Sequence, residues 1–200
     1  MIAIRGAGSA IARELRALLP PDEEVCAVPR GGSMPWRASR YLFCAGLMRP
    51  CSIEEQTDVE AASSFLVNAL DVMRACDFLI DMNPLARICV IGSESGYAWS
   101  FDGVYAAAKA ALHRYCETRR LGLGQQLVCV APGIIGDCGM TERREDRTNL
   151  ERLEAAHPKG RFLTALEVAR MVHFCLYIDH GYLSGVVIRM NGGAHTRRAA

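Results

Sequence analysis

Six short apolar runs alternate with longer segments of helical periodicity, and this alternation limits the fold more than any other feature of the chain. Each run ends in glycine or a polar turn, and the runs are residues 1–6, 23–28, 39–46, 87–93, 126–133 and 184–193. Short, uniformly apolar runs are typical of parallel strands buried on both faces, which need crossover helices between them. The alternation therefore predicts an α/β fold in one domain over residues 1–200: a doubly wound parallel sheet of about six strands with helices on both faces.

The segment between the third and fourth runs has the periodicity of one long helix. Apolar residues recur at steps of three and four from Val59 to Ile80 and cover more than one helix face. We expect this surplus apolar surface, together with the alanine-rich face after Tyr105, to pack against a second copy in a homo-oligomer, a dimer or tetramer, with coverage by loops as the alternative. Farther along, Thr164 and Glu167 form a capping box, which predicts the start of another amphipathic helix.

Charge and cysteine content narrow the possible functions. The 23 basic and 22 acidic residues are interspersed and give a net charge of +1, so nothing indicates a nucleic-acid partner. Every apolar run is well short of the ~20 residues that span a bilayer, so we expect no membrane partner. The nine cysteines are scattered, with no Cys-x-x-Cys pair and no clustered histidines. We interpret them as reduced thiols of a cytoplasmic protein and expect no metal.

A glycine-containing turn follows the first apolar run. Gly6 and Gly8 precede Ser9, Ala10 and Ile11, where a helical pattern begins. Such a turn lets backbone N–H groups approach a pyrophosphate at the positive end of the helix dipole, as in Rossmann-type dinucleotide sites. A strand-to-helix turn that merely needs two glycines for its geometry explains this stretch equally well.

Three alanines separate Tyr105 from Lys109 in the stretch GVYAAAKAAL. On a helix this spacing places both side chains on one face. An ammonium beside a phenol favours the phenolate, so we expect Lys109 to lower the pKa of Tyr105 from about 10 toward neutrality, which suits a group that gives and takes protons. The alternative is an amphipathic tyrosine beside a lysine that extends to solvent.

These features occur in the order found in the short-chain dehydrogenase/reductase family, together with Asn68 in the long helix, Ser93 after the fourth run and Pro132-Gly133 after the fifth. The chain resembles this family over nearly its whole length, and 3-oxoacyl carrier-protein reductases in particular. The resemblance implies a catalytic set of Asn68, Ser93, Tyr105 and Lys109. It also implies that the dinucleotide is contacted by Gly6, Gly8, Ser9, Ala10, Ile11, Arg30, Ala45, Gly46, Tyr105, Lys109, Pro132, Gly133 and Ile135.

The same resemblance implies a role for each catalytic residue. Ser93 holds the substrate oxygen, Tyr105 exchanges the proton, and Lys109 contacts the nicotinamide ribose. Asn68, through its helix backbone, orders a water that connects Lys109 to solvent. We therefore expect an NAD(P)(H)-dependent oxidoreductase acting on a small secondary alcohol or ketone, with its substrate pocket lined by residues 138–161 and the loop around Trp99.

On the adenine side the sequence departs from the family pattern. Only fourteen residues separate Val28 from Phe43, where the family places a helix, a strand and a further helix, so we expect those elements to be missing. Phe43-Cys44 replaces an Asn-Asn pair, Ala10 and Ala12 replace two glycines, and Asp137 replaces a threonine after Pro-Gly.

Two questions stay open at the level of sequence. Arg30 follows the second run, where a cation favours NADP(H) and an acid favours NAD(H). We expect NADP(H), with NAD(H) possible if Arg30 is only a solvated turn residue. The shortened adenine side also leaves an alternative to the enzyme, which is a catalytically idle dinucleotide-binding or scaffold protein.

Overall fold

One parallel sheet of six strands forms the centre of the protein. The computed structural model describes residues 1–49, 51–98, 100–179 and 181–194. Neighbouring strands are all parallel, in the order β2-β1-β3-β4-β5-β6. The strands are β1 (Ile2–Arg5), β2 (Val25–Val28), β3 (Arg40–Phe43), β4 (Arg87–Ile91), β5 (Gln126–Pro132) and β6 (Val186–Met190). The chain builds outward from β1 in both directions, which confirms the predicted doubly wound α/β sheet of about six strands.

Helices connect the strands and cover both faces of the sheet. They are α1 (Ala10–Leu18), α2 (Asp58–Phe65), α3 (Asp71–Met82), α4 (Gly103–Thr118), α5 (Gly139–Glu142), α6 (Arg147–Ala156) and α7 (Ala165–His173). Alternate residues of β1 face opposite layers, because side chains along a strand alternate in direction. Ile2 and Ile4 pack in the layer with α1 and α7, whereas Ala3 packs in the layer with α3 and α4.

The connection from β2 to β3 is short, and residues 29–39 contain neither a helix nor a strand. This confirms that the strand and two helices expected by resemblance at this point are missing. Met34 and Ala38 from the connection are buried against the α3 and α4 side of the sheet. The Arg5 guanidinium donates to the Gly32 carbonyl at 2.6 Å and lies 5.3 Å above the Phe43 ring. Arg5, stacked on Phe43, therefore holds the short connection against the sheet.

The long helix predicted from Val59 to Ile80 contains a π turn. Residues Leu66–Leu70 form a π-helical turn between α2 and α3. Asn68 lies in this turn, and its Nδ2 donates to the Ser64 carbonyl at 2.8 Å. That carbonyl is the one an α-helix would pair with the Asn68 backbone N–H, so the side chain competes with the regular helix ladder. The predicted long helix is confirmed in its extent, and the π turn at its centre was not predicted.

Other features of these helices agree with the sequence patterns. Thr164 and Glu167 form both bonds of the capping box, and α7 begins directly after Thr164. Along α2, the π turn and α3, exposed apolar side chains remain in the single chain, namely Val59, Phe65, Leu66, Phe78 and Met82. None of the helices in the described ranges has the length and apolar character needed to cross a bilayer.

Candidate active site

A large cleft opens at the carboxyl ends of the strands, with a volume of about 1990 Å³. It brings together the residues that the sequence assigned to a dinucleotide, which are Gly6, Gly8, Ser9, Ala10, Ile11, Arg30, Ala45, Gly46, Tyr105, Lys109, Pro132, Gly133 and Ile135. Ser93 lines the same cleft. Ligands of doubly wound sheets bind outside the carboxyl ends of the strands, where the chain changes direction. This cleft is therefore the candidate active site.

The glycine turn at the start of α1 presents free backbone donors to the cleft. Gly6 has a φ of +95°, and a Cβ on it would lie 2.4 Å from the Ala45 nitrogen, so only glycine fits. Ser9 caps the helix by accepting from the Ala12 N–H at 3.1 Å. The N–H groups of Ala10 and Ile11 have no partner within the described residues. Two free donors at a helix N-terminus suit a pyrophosphate, so this turn fits the expected dinucleotide.

Helix α4 places Tyr105 and Lys109 at the centre of the cleft. Asp102 caps the helix and accepts from the Tyr105 N–H at 2.9 Å. Lys109 is only 3 % exposed, and its Nζ donates to the Ile91 carbonyl at the end of β4, at 2.8 Å. The same Nζ lies 5.6 Å from the centroid of the Tyr105 ring. The predicted shared helix face is confirmed, and the ammonium is held against the end of β4.

Burial determines the protonation of both groups. Burial raises the pKa of Tyr105 to about 12, and the nearby Asp102 and Cys138 also raise this pKa. The hydrogen bond from Ser93 lowers the pKa but does not offset the burial. Burial also lowers the pKa of Lys109 from 10.5 to about 8. The expectation that Lys109 would bring the pKa of Tyr105 toward neutrality is therefore wrong for this structure. Desolvation of the phenolate outweighs the neighbouring cation, which is itself poorly solvated.

Asn68 lies behind the cleft and does not line it. Its side chain is fully buried and holds the Leu47 backbone from both sides: Nδ2 donates to the Leu47 carbonyl at 2.6 Å, and Oδ1 accepts from the Leu47 N–H at 3.0 Å. Leu47 directly follows Gly46. Asn68 therefore fixes the chain beside the cofactor-side residues, and its direct contribution to the reaction stays a prediction.

The loop after β5 closes the far side of the cleft. The Gly133 N–H donates to the Met190 carbonyl at 3.0 Å, and Ile135 pairs with Leu163 in a parallel bridge. Asp137, which replaces the family threonine, accepts from the Ala165 N–H at 2.7 Å. This carboxylate thus binds the start of α7, which explains how an acid is accommodated there.

The predicted substrate-side stretch corresponds to α5, α6 and the segment after them. Much of the predicted stretch 138–161 lines the cleft, including Met140, Arg152 and Lys159. Trp99, the other predicted lining residue, lies outside the described residues. At the opposite end, Arg30 is exposed and makes no hydrogen bond or ion pair within the part of the chain that the structure describes. Its guanidinium is therefore available to an anionic group on the adenosine side.

Sequence reasoning missed His113. Its Nε2 accepts from the Ser93 N–H at 3.2 Å. A signal was present, because Tyr105, Lys109 and His113 follow one another at four-residue steps and so share a helix face. It was not recognised, since a lone histidine on an apolar helix face is usually a packing residue.

The chain is similar in sequence to known proteins. A family model described as enoyl-(acyl carrier protein) reductase matches residues 41–195, more than half of the chain. The chain belongs to the short-chain dehydrogenase/reductase family. Among characterised members it is 32 % identical over 154 residues to the 3-oxoacyl-[acyl-carrier-protein] reductase MabA of Mycobacterium tuberculosis, covering 74 % of this chain and 60 % of that protein. The chain thus spans between 42 % and 60 % of the length of the curated relatives it matches.

Solved structures of short-chain dehydrogenases/reductases share the fold. An oxidoreductase of this family from Burkholderia thailandensis superposes with a TM-score of 0.81 at 19 % identity, covering 98 % of this chain and 93 % of the other. A small-chain dehydrogenase solved in complex with NADPH superposes with a TM-score of 0.81 at 18 % identity, covering 96 % and 97 %. At these identities the similarity concerns the fold alone.

Proposed function

We propose that this short-chain dehydrogenase/reductase is an oxidoreductase that transfers hydride between NADP(H) and a secondary alcohol or ketone. The observation that carries the proposal is the convergence of Ser93, Tyr105 and Lys109 on the cleft that also holds the glycine turn. A hydroxyl, a phenol and an ammonium at the carboxyl ends of parallel strands are the groups needed to hold a carbonyl oxygen and protonate it.

The chain offers separate contacts for each part of the cofactor. The free N–H groups of Ala10 and Ile11, with the turn of Gly6, Gly8 and Ser9, would hold the pyrophosphate. Lys109 would contact the nicotinamide ribose. Ala45 and Gly46 would face the adenosine half, and Pro132, Gly133 and Ile135 the nicotinamide half. When bound, the nicotinamide supplies or accepts the hydride.

In the reduction of a ketone, Tyr105 would act as the acid. With a pKa of about 12, the phenol is neutral at pH 7 and can donate its proton to the oxygen of a ketone. Ser93 would hold that oxygen in place. Lys109 has a pKa of about 8 and so exchanges its proton near neutral pH, which suits it to reprotonate Tyr105. Asn68, as a prediction from the family, would connect Lys109 to solvent through its helix backbone.

Arg30 supports NADP(H) over NAD(H). It follows β2, lines the cleft and makes no ion pair within the described ranges, so a 2′-phosphate could take it as a partner. NAD(H) remains the alternative. MabA is named for action on 3-oxoacyl groups of an acyl carrier protein. Ketones of that kind are therefore the first substrates to test.

An idle dinucleotide-binding protein is the second candidate, and the short connection of residues 29–39 favours it. Without the missing strand and helices, the adenine side has less surface to contact, so cofactor affinity could fall too low for turnover at cellular concentrations. In that case the protein would bind a dinucleotide weakly and reduce no ketone.

The test combines binding and turnover. NADPH and NADH are titrated separately by fluorescence, and NADPH oxidation is then followed at 340 nm with a panel of ketones that includes 3-oxoacyl thioesters. Tyr105→Phe keeps the ring, so it should bind NADPH like the wild type while kcat falls at least ~10²-fold. Tyr182→Phe, at a side chain 97 % exposed, is the matched control and should not differ from the wild type.

Two outcomes would decide against the oxidoreductase. Wild-type turnover by Tyr105→Phe would remove Tyr105 from the reaction. Binding of NADPH by the wild type without reduction of any ketone would favour the idle binder. Loss of both binding and turnover in Lys109→Met, beside loss of turnover alone in Tyr105→Phe, would support the roles proposed for the two residues.

We also propose a cytoplasmic homo-oligomer. The exposed apolar residues Val59, Phe65 and Phe78 lie along the α2–α3 segment and support a contact between subunits. Nine free cysteines support a reducing compartment. Light scattering at micromolar concentration should give a dimer or tetramer that Phe78→Glu dissociates. Leu123→Glu, at a fully exposed apolar residue outside these helices, should leave the assembly intact. A wild-type monomer would refute the contact.

A further inference from the structure

His113 lies directly beneath the turn that carries Ser93. It projects from α4, is 3 % exposed, and accepts the Ser93 N–H at 3.2 Å through Nε2. The ring fills the space that two glycines leave open. A Cβ on Gly92 would lie 2.4 Å from Nε2, and a Cβ on Gly96 would lie 2.6 Å from Cε1. The glycines on either side of Ser93–Ser95 are thus the residues that let the imidazole reach the turn.

A second set of contacts holds the ring from the side. His113 stacks on Tyr97, with ring centroids 4.8 Å apart. Arg189 of β6 lies 4.3 Å above the Tyr97 ring and forms two bonds to the Glu94 carboxylate, at 2.8 and 2.7 Å. The turn from Ser93 to Tyr97 is therefore tied both to α4 and to β6.

The protonation of His113 follows from its partner. Because the Ser93 N–H donates, Nε2 carries the lone pair and Nδ1 carries the proton of a neutral imidazole. Nδ1 is buried and finds no hydrogen-bond partner within the described residues. An unpaired buried donor lowers stability, and an apolar side chain on this helix face would avoid that loss. An apolar side chain could not accept the Ser93 N–H, and the ring also hydrogen-bonds the Cys129 thiol, so both polar neighbours favour a histidine here.

Ser93 uses its own atoms in a complementary way. Its Oγ accepts from the Ser95 N–H at 3.2 Å, and the hydroxyl can still donate, to the Tyr105 oxygen or to a substrate oxygen beside it. With the backbone nitrogen held by His113 and the side-chain oxygen held by Ser95, the position of the Ser93 hydroxyl oxygen is fixed.

We propose that His113 is a positioning residue for Ser93, acting through the Ser93 backbone and not through substrate or cofactor. This inference rests on the proposed oxidoreductase function. Catalytic groups lose much of their effect when misplaced by about 1 Å. Loss of the acceptor should therefore reduce the chemical step and leave cofactor binding in place, since His113 does not line the cleft.

Three variants test the role by kinetics. His113→Phe keeps a flat ring but removes the acceptor, and kcat should fall roughly 10- to 100-fold with the NADPH Kd and the ketone KM within about twofold of wild type. His113→Gln places an amide oxygen near Nε2 and should recover kcat to within about threefold. His173→Phe is the matched control, because His173 also stacks on a tyrosine, Tyr177 at 5.0 Å, outside the cleft. It should behave like the wild type.

A measurement on the wild type separates this inference from the proposed function. In ¹⁵N-labelled protein, an N–H···N hydrogen bond gives a scalar coupling between the Ser93 and His113 Nε2 nitrogens, whether or not any ketone is reduced. A coupling observed without turnover would refute the oxidoreductase function but retain the hydrogen bond between His113 and Ser93. The positioning role is overturned if the coupling is absent, if His113→Phe retains wild-type kcat, or if the Gln and Phe variants lose kcat equally.

Discussion

Replacing Lys109 by methionine should stabilise the folded protein at pH 7 while removing its activity. Burial lowers the pKa of this lysine from 10.5 to about 8, because the folded protein solvates the ammonium less well than water does. A shift of this size corresponds to about 3 kcal/mol of unfavourable free energy for keeping Lys109 charged in the native state. Methionine fills a similar volume and carries no charge, so it removes this cost.

Two native contacts offset part of the gain. The bond from Nζ to the Ile91 carbonyl contributes about 1–1.5 kcal/mol. The position of Nζ 5.6 Å from the Tyr105 ring contributes a further ~0.5 kcal/mol. Lys109→Met should then unfold with a free energy about 1–2 kcal/mol above that of the wild type, which for a chain of this length raises Tm by roughly 2–8 °C.

The pH dependence gives the sharper test. The folded pKa of Lys109 lies below its unfolded value, so the unfolded state binds more protons between about pH 8 and 10.5. Wild-type stability should rise across that window. The advantage of Lys109→Met is therefore fully present below pH 8 and lost by about pH 10.5. Lys159→Met, at an exposed lysine, is the matched control.

Thermal and urea unfolding of all three proteins at pH 7 and pH 10 measure these differences. If Lys109→Met is less stable than the wild type at pH 7, and by the same amount at pH 10, burial does not govern the charge of Lys109. In that case the account of the pKa values in the cleft is wrong.

Other perturbations address separate parts of the cleft. Asn68→Ala leaves the Leu47 backbone groups without their partners and should lower the free energy of unfolding, measured in urea, by about 2–4 kcal/mol. A loss below ~0.5 kcal/mol would contradict the structural role given to this side chain. Arg30→Ala should weaken NADPH at least ~10-fold and NADH less than twofold in fluorescence titrations; equal effects would exclude a phosphate contact. Gly6→Ala should lower thermal stability by about 2 kcal/mol or more, because its φ of +95° and the close approach of the neighbouring backbone both exclude a Cβ. Gly8→Ala meets no atom within 4 Å and is the matched control, so similar melting of the two variants would argue against the turn geometry.

Features encoded in short stretches of sequence were predicted correctly. The six strands, the glycine turn, the capping box at Thr164 and the shared face of Tyr105 and Lys109 each depend on local periodicity or on a fixed spacing. The missing elements between Val28 and Phe43 were predicted for a similar reason, since fourteen residues are too few for them.

Features that depend on tertiary contacts were missed. The π turn around Asn68 arises from the Ser64 and Leu47 partners of its side chain, and no local pattern encodes Leu47. The raised pKa of Tyr105 follows from burial, which sequence spacing does not measure. The contact of His113 with Ser93 depends on the packing of α4 against the end of β4.

The edge position of β2 leaves the sheet open to extension on one side. β2 pairs only with β1, so one row of its backbone donors and acceptors has no strand beside it among the described residues. A further parallel strand and its crossover, inserted between Val28 and Arg40, would use that free row and leave the five present strand pairings unchanged. Ser93 follows β4, and Tyr105 and Lys109 lie on α4, so an insertion after β2 would not alter the elements that carry them. An insertion at this edge could therefore extend the adenosine half of the cleft without changing the residues that carry the proposed chemistry at its other end.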